Sequence, residues 1–491
     1  MPITRRNFLA SPACGLFAGM SARAARATRQ GRSITSPGYG ELRPAGDALA
    51  LPPGFQYSII SYEGDTMADG FPVPSAMDGM AAFPLSSGNI LLIRNHEIAE
   101  AGSRFRPRPD GSTSTTAGTI AHLLDTAYGP RRFAYDEFSG GGTTSIEVNP
   151  IGRQKVREYW SLVGTLRNCA GGSTPWGSWL TCEESLLGTT AADFARNHGY
   201  VFEVPVTTTP GLPAEPTPLR GLGRFAHEAV AVDPATGIIY ETEDQGDVSG
   251  FYRYIPAIRP VTPGDLAGDT GRLQMLKVDT ADRYVTCIGQ KVGVALPVSW
   301  VPVPDPDPTP VSVTISGVVN AATFQQGLNA GGAIFRRLEG CWYWQGKIYF
   351  TSTNGGEIGL GQIWVYDPVA STITMVFETP DLHVLDFPDN ITVSPRGGLL
   401  VCEDGGGGQY LRGVTPSGEI FDFARNIFNS IEMAGACFSP DGQTLFVNIY
   451  GRATVRSSSR YGATATIPIA SESHEKALTL AIWGPWGQGL L

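Results

Sequence analysis

Short apolar runs, each introduced by a glycine, recur along most of this chain. In five of them an acidic, amide or hydroxyl residue follows the glycine by six positions. A turn glycine followed by a short apolar run is typical of a β-strand. The five pairs are Gly177 and Glu183, Gly237 and Glu243, Gly346 and Ser352, Gly397 and Glu403, and Gly442 and Asn448; a less regular sixth unit spans residues 88–97.

The repetition of this unit predicts the architecture. A strand unit that recurs across a chain indicates a radial β fold, so we expect an all-β chain that forms a single β-propeller of six blades with loop insertions. Polar residues at equivalent strand ends would then converge on one axis. We assign residues 51–491 to the propeller, 28–50 to a lead-in segment, and a proline-rich stretch at about 301–330 to an insertion or linker between the third and fourth repeats.

Residues 1–27 have the pattern of a twin-arginine signal peptide. Arg5 and Arg6 are followed by Phe8 and Leu9, a weakly apolar stretch and alanines suited to cleavage. We therefore expect export by the twin-arginine machinery to the periplasm or the exterior. Elsewhere no run of residues is long and apolar enough to predict a transmembrane segment.

The composition is acidic. The formal net charge is −10, and it becomes −14 without the four arginines of the signal. This balance argues against a nucleic-acid partner and suits a protein that stores cations, although plain solubility explains it equally well. Of the six cysteines after the signal, Cys182 and Cys402 lie inside predicted strands, where packing is favoured over disulfide pairing. No coiled coil or partner helix is recognisable, so we expect a monomer.

One block, residues 168–184, places the Cys169 thiol and a glycine-rich turn before a pair of carboxylates. A thiolate is a soft ligand suited to iron or zinc, whereas carboxylates suit calcium and magnesium. A buried apolar role for Cys169, or a disulfide, is the alternative. His96 and His227 are each followed by glutamate, Glu97 and Glu228. Neighbours on a strand face opposite ways, and we favour the glutamates because histidines are too few for a histidine-rich site.

Further oxygen ligands stand at or beside matching strand ends. A lone acidic pair is usually a solvated turn, but several in one register would repel one another and need a cation. The candidates are Glu183, Glu243, Asp244, Asp389, Asn390, Glu403 and Asp404.

Arg337 and Glu339 are two residues apart on a predicted extended segment, so their side chains would point the same way. A guanidinium beside a metal-bound carboxylate matches the oxygens of a phosphate. The alternative is an ordinary surface ion pair.

Taken in order, these blocks resemble the PhoX-type alkaline phosphatases of bacteria, which share the twin-arginine signal. The resemblance covers most of the chain beyond that signal. It rests on residues 94–97, 141–144, 168–184, 224–228, 243–244, 337–340, 388–390, 402–405, 435–442 and 482–486.

The resemblance implies a six-bladed propeller whose axial pocket holds iron and calcium ions and hydrolyses phosphomonoesters, with a metal-activated water or oxide attacking phosphorus. It implies Cys169 as an iron ligand with Glu228 as companion. The calcium or bridging ligands that it implies are Glu183, Glu243, Asp244, Asp389, Asn390, Glu403 and Asp404. Arg337 would bind the phosphate, beside Glu339 on a metal. The alternatives are a calcium-dependent lactonase or esterase propeller and a non-catalytic periplasmic metal-binding propeller.

Overall fold

In the computed structural model, short strands and tight turns follow one another throughout the part of the chain that the structure describes. That part comprises residues 38–98, 134–136, 139–189, 194–209, 214–246, 248–315, 318–451 and 476–491. The predicted signal peptide, residues 1–27, and the first ten residues of the lead-in segment lie outside it.

The strands, numbered in chain order, fall into six blades. Three strands come first: β1 (Arg43–Pro44), β2 (Leu49–Leu51) and β3 (Gln56–Tyr62). Blade 1 contains β4 (Met77–Pro84), β5 (Ile90–His96), β6 (Gly141–Asn149) and β7 (Gln154–Thr165). Blade 2 contains β8 (Asn168–Ser173), β9 (Ser178–Glu183) and β10 (Val201–Pro205). Blade 3 contains β11 (His227–Val232), β12 (Ile239–Glu243), β13 (Phe251–Ile255) and β14 (Arg272–Val278).

The second half continues the series after three intervening strands, β15 (Ala295–Val303), β16 (Ser312–Ile315) and β17 (Val318–Ala321). Blade 4 contains β18 (Leu338–Trp344), β19 (Lys347–Ser352), β20 (Gln362–Asp367) and β21 (Thr372–Glu378). Blade 5 contains β22 (Pro388–Val393), β23 (Leu399–Glu403), β24 (Tyr410–Val414) and β25 (Ile420–Asn426). Blade 6 contains β26 (Met433–Phe438), β27 (Leu445–Ile449) and β28 (Leu478–Trp483).

The first strand of each blade is its innermost strand. These six strands contact one another in sequence, from β4 through β8, β11, β18 and β22 to β26, and β26 contacts β4 again. The ring is therefore closed around an axis, which confirms the all-β propeller that the repeats predict.

Strands from the start of the described chain complete the last two blades. Strand β3 pairs with β28 and becomes the outer strand of blade 6, while β2 and β1 extend blade 5 beyond β25. The pairings of β3 with β28 and of β2 with β25 each join residues more than 350 positions apart, for example Leu478 with Tyr62. These pairings join the two ends of the described chain within the outer blades, which is how a propeller avoids open sheet edges.

The glycines that define the sequence repeat all stand in the turn between the first and second strands of a blade. Each has a positive φ, a conformation that favours glycine because it has no Cβ. The six are Gly88, Gly177, Gly237, Gly346, Gly397 and Gly442. The repeat therefore marks the inner hairpin of each blade.

The proline-rich insertion at about 301–330 contains regular elements. Strand β15 pairs with both β14 and β21 and so joins blades 3 and 4 in one nine-stranded sheet. After it come the β16–β17 hairpin and helix α1 (Ala322–Asn329). Two short 3₁₀ turns, Arg220–Leu222 and Trp486–Gln488, complete the elements. Within the described residues, no helix has the length and apolar character needed to cross a membrane.

The cysteines pack as apolar residues. The six in the described residues are buried and unbridged. Cys182 lies in an apolar cluster with Leu180 and Val230, and Cys402 in another with Leu400. This confirms that Cys182 and Cys402 are packed inside the sheets.

A buried ion pair joins blade 1 to the closing blade. Arg94 on β5 contacts Glu158 on β7, with 2.7 Å between Nη2 and Oε1, and both side chains have no exposure to solvent. The guanidinium also donates through Nη1 to Thr479 Oγ1 at 2.6 Å and Ser61 Oγ at 3.1 Å, on β28 and β3. One cation thus contacts both strands that close the ring.

We predict that Arg94→Met destabilises the propeller by about 3 kcal/mol, because it removes the buried cationic partner of Glu158 and leaves that carboxylate only the partly exposed Lys155 as an ion-pair partner. Urea denaturation followed by tryptophan fluorescence measures this loss. Arg43→Met is the matched control, since Arg43 and its partner Glu41 are 73% and 82% exposed. That change should cost less than about 1 kcal/mol. Equal effects of the two changes would contradict the role of Arg94 in closure.

Candidate metal centre

Five of the six inner strands carry an acid or a thiol as their second residue. In each of the five, this residue and the next one together face a single residue of the neighbouring strand, as in a β-bulge. A bulge re-aims side chains, which here brings residues from five strands to one end of the axis. They are Asp78, Cys169, Glu228, Glu339 and Asp389. On β26 the break comes one residue later and Ala434 takes the second place.

A second set of acids follows the second strand of four blades. The backbone N–H of each donates to the carbonyl of the residue just before the inner strand, over 2.9–3.0 Å. These acids are Glu97, Glu184, Asp244 and Asp404. The same bond occurs in blades 4 and 6, from Thr353 to Arg337 and from Tyr450 to Glu432. It holds each residue at the end of the blade where the inner acids lie.

One continuous arc of candidate ligand atoms contains the five inner-strand residues, Glu97, Glu184, Asp404 and Glu432, which directly precedes β26. Asp244 of the second set is not a member of this arc. Four groups of three residues each have their candidate ligand atoms within 4.8 Å of one another, and successive groups share a member. The groups are Asp78 with Glu97 and Cys169; Cys169 with Glu184 and Glu228; Glu228 with Glu339 and Asp389; and Asp389 with Asp404 and Glu432. We call these nine residues the axial cluster.

The electrostatics of the axial cluster are those of crowded acids. Burial, and then the charges of Glu339 and Asp389, raise the pKa of Glu228 well above its usual value. Burial and Asp404 raise the pKa of Asp389 to about 7. Burial and the carboxylates of Glu184 and Glu228 likewise raise the pKa of the Cys169 thiol. Full ionisation of these groups therefore requires a compensating positive charge.

Arg337 supplies part of that charge. It precedes β18 with a left-handed φ of 39°, an unusual conformation for a residue with a Cβ. Its Nε lies 3.2 Å from Asp244 Oδ1 and its Nη2 lies 2.5 Å from Glu339 Oε1. Burial lowers the pKa of Arg337, but Glu339 and Asp244 outweigh it and raise the value overall. The guanidinium therefore stays charged within the site.

The residues of the axial cluster fit metal ions. The carboxylates offer oxygen ligands, and a buried oxygen of Asp78, Oδ1, has no hydrogen-bond partner among the described residues. Cys169 adds sulfur at the junction of two groups, which suits a softer transition metal than calcium or magnesium. The arc can thus hold more than one cation, with different ligand chemistry along its length.

Three of the acids predicted as ligands lie elsewhere. Each is the last residue of the second strand of its blade, and its backbone pairs with the first residue of the inner strand. Glu183 accepts bonds from the backbone N–H groups of Leu166, Gly199 and Tyr200 and contacts His198 Nδ1 at 2.7 Å. Burial lowers the pKa of His198, but Glu183 and Asp136 outweigh it and raise it to about 9.

Glu243 and Glu403 show the same pattern. Glu243 Oε2 accepts bonds from Gly250 N and the Tyr252 hydroxyl at 2.9 and 2.7 Å. Glu403 Oε1 lies 2.7 Å from Arg412 Nε. These two and Glu183 occupy one strand farther from the axis than the axial cluster. Their contacts join the second strand of a blade to the segment that follows it in the same blade.

The remaining predicted residues lie at the site. Cys169, Glu228, Glu339, Glu97, Asp389 and Asp404 belong to the axial cluster, and Asp244 contacts it through Arg337. The amide of Asn390 donates to Asp389 Oδ1 at 2.7 Å and its oxygen accepts from Gly435 N at 2.5 Å. Asn390 therefore steadies a cluster carboxylate.

Sequence reasoning missed Asp78, Glu184 and Glu432. The inner-strand ligands do carry a signal, because four of the five are followed by glycine or alanine. At Gly79 a Cβ would lie 2.4 Å from the Cα of Ala170, and at Gly340 it would lie 2.5 Å from the nitrogen of Ile391. The small residue is required because adjacent inner strands approach closely there.

Comparisons with known proteins identify a family and a fold. A family model described as alkaline phosphatase PhoX matches residues 38–452. The structure of Pseudomonas fluorescens PhoX in complex with vanadate, a transition-state analogue, aligns with 92% of this chain and 98% of that chain, at 20% identity and a TM-score of 0.63. This likeness supports the propeller fold.

A gluconolactonase from Xanthomonas campestris aligns with 90% of this chain and 99% of that chain, at 11% identity and a TM-score of 0.37. No curated protein matches the sequence of the chain.

The neighbouring residues Glu183 and Glu184 provide a matched test of this geometry. We predict that Glu184→Gln lowers the metal content of the purified protein, because it removes a charged ligand from the group around Cys169. Glu183→Gln should instead lower the free energy of unfolding by on the order of 3 kcal/mol, since it breaks the buried pair with His198. Elemental analysis and urea denaturation measure the two effects. Loss of metal in Glu183→Gln, together with lost stability but full metal content in Glu184→Gln, would refute the position of the site.

Proposed function

The chain belongs to the PhoX family of alkaline phosphatases and is a metal-dependent phosphomonoester hydrolase, and we propose that the axial cluster is its catalytic site. The continuous arc of nine buried or half-buried ligand residues is the observation that supports this assignment most strongly. The arc has the charge, the sulfur ligand and the adjacent guanidinium that such a reaction uses.

We propose that Cys169, Glu184 and Glu228 hold iron and that the oxygen-only groups hold calcium. The thiolate favours a transition metal, whereas Glu339, Asp389, Asp404 and Glu432 offer the hard oxygen ligands that calcium takes. Bound cations of this kind neutralise phosphoryl oxygens and activate water as a nucleophile.

Arg337 is the residue that we assign to the phosphoryl group. Asp244 and Glu339 fix its guanidinium from two sides, through Nε and Nη2 respectively. A guanidinium held in this way can donate to two phosphoryl oxygens without reorganising as charge develops. The Glu339 carboxylate has two sets of neighbours. It forms an ion pair with Arg337, and it also belongs to the candidate ligand group with Glu228 and Asp389.

The substrate is a phosphomonoester, and its phosphate enters a site surrounded by acids. Arg337 is 18% exposed, while Glu339 behind it is 3% exposed. The guanidinium therefore lies between the deepest carboxylates and solvent. It presents the anionic substrate with a positive group and separates it from part of the negative charge of the protein.

Proteins of this family are typically exported, and we propose the twin-arginine route for this chain. Arg5 and Arg6, followed by Phe8 and Leu9, support that route. We also propose that residues 51–491, together with strands β1 and β2 of the lead-in segment, form the phosphatase domain. The family establishes the hydrolysis of phosphomonoesters. The iron, calcium and export assignments are our proposals for the metals and the location of this chain.

We predict that exhaustive chelation abolishes hydrolysis of 4-nitrophenyl phosphate, whereas Arg337→Ala lowers kcat/KM by roughly 10²–10³, the scale of one preorganised donor. Turnover measured before and after metal replenishment tests the first part. Arg336→Ala is the control, because Arg336 adjoins Arg337 in the chain but forms no ion pair with the axial cluster in the described structure. Full activity after chelation would contradict the metal-dependent mechanism.

A further inference from the structure

A cavity of about 450 Å³ lies between blades 3 and 4, away from the axial cluster. Asp233 and Thr236 line one side of it, in the turn that follows inner strand β11. Pro368 and Ser371 line the other side, in the turn between β20 and β21. Because Glu228 stands at the start of β11 and Asp233 follows its end, the cavity lies at the end of the propeller opposite to the axial cluster.

The insertion strand β15, which joins the two blades, supplies one wall of this cavity. Ser299 and Trp300 of β15 line it. Trp300 Nε1 donates to the hydroxyl of Tyr366 at 3.1 Å. The guanidinium of Arg253 lies over the Trp300 ring, 4.6 Å from its centroid, and Arg253 Nε donates to Gln274 Oε1 at 2.8 Å. These contacts fix the indole ring before any ligand binds.

The floor of the cavity contains a polar group that the fold leaves unused. Tyr240 and Tyr366 both line the cavity and are 1% and 2% exposed. The Tyr240 hydroxyl forms no hydrogen bond within the described residues, yet its oxygen is not fully enclosed by protein. A buried tyrosine usually has a hydrogen-bond partner for its O–H. A molecule bound in the cavity would supply that partner.

One acid and one base line the cavity. The Asp233 carboxylate accepts bonds from Ala235 N and Thr236 Oγ1 at 2.9 and 2.7 Å. Arg253 forms no ion pair among the residues that the structure describes, and after burial the groups that act most on its pKa are tyrosines and another arginine. Charges of both signs in one cavity favour a ligand without net charge that both donates and accepts hydrogen bonds.

We propose that this cavity binds a neutral pyranose sugar. A pyranose ring has C–H groups on its faces and hydroxyls around its edge, so one face packs on an aromatic ring such as Trp300 while the hydroxyls bond to polar side chains. The volume lies within the range of small-molecule sites, roughly 300–1,000 Å³, and aromatic walls with a few polar groups are typical of them. The proposal goes beyond the phosphatase activity and does not depend on it.

Saturation-transfer NMR tests the proposal with D-glucose, D-galactose, D-mannose and N-acetyl-D-glucosamine as neutral probes and D-glucuronate as the charged comparison. We expect the wild-type protein to bind at least one neutral sugar. Trp300→Ala should raise the Kd for that sugar roughly tenfold or more, because it removes the aromatic wall. Tyr240→Phe should raise it roughly threefold to tenfold, the scale of one hydrogen bond. That variant should keep its stability, since it removes only a hydroxyl without a partner.

Trp483→Ala is the matched control, because Trp483 also has an arginine, Arg153, at 4.6 Å from its ring centroid but belongs to blade 6. It should leave the Kd at the wild-type value. Failure of all four neutral sugars to bind overturns the proposal, and so does binding of D-glucuronate alone. Wild-type affinity in both Trp300→Ala and Tyr240→Phe also overturns it.

Hydrolysis of 4-nitrophenyl phosphate is a separate measurement. Tyr240→Phe should leave this activity unchanged, because Tyr240 lies in the cavity and outside the axial cluster. Absence of hydrolysis by metal-loaded wild-type protein that still binds a neutral sugar would refute the proposed function and leave the sugar site standing.

Discussion

The repulsion among buried acids at one end of the propeller axis is the constraint on which the rest of the structure depends. Closure of the ring brings side chains from all six blades within ligand distance, although they are spread over more than 350 residues of sequence. Burial and mutual charge raise the pKa of Glu228, Glu339 and Asp78. Cation binding relieves this repulsion, so the fold and the chemistry share one electrostatic requirement.

The inner β-bulges explain why the ligands come from these particular positions. In each of five inner strands two residues are skipped at the same level, and the first of the two is the candidate ligand. The left-handed residues before β4, β8, β18 and β22 place further backbone strain at this end of the ring. Strain concentrated at one end of a regular fold is typical of a functional site. Strand pairing farther along the blades, and the contacts of Arg94 at the closure, support this end of the ring.

The propeller could be predicted from the sequence because its turn glycines recur, and so could most of the axial cluster. The choice between adjacent acids could not. Glu183 ends a second strand and was predicted as a ligand, yet the axial residue is Glu184, one position later. Spacing locates the inner hairpin, but it does not show which residue the bulges and the bond from Glu184 N to Arg167 O bring to the axis. Asp78 and Glu432 escaped notice because each stands alone in the sequence, without a neighbouring acid.

Anomalous diffraction from crystals of the exported protein, recorded above and below the iron absorption edge, tests the central claim most directly. The account predicts an iron peak about 2.3 Å from Cys169 Sγ, a typical metal–thiolate distance, bound also by Glu184 or Glu228. It further predicts calcium density about 2.3–2.6 Å from oxygens of Asp389 and Asp404. Axial density that contains only ordered water, with metal found at Glu183, Glu243 or Glu403 instead, would contradict it.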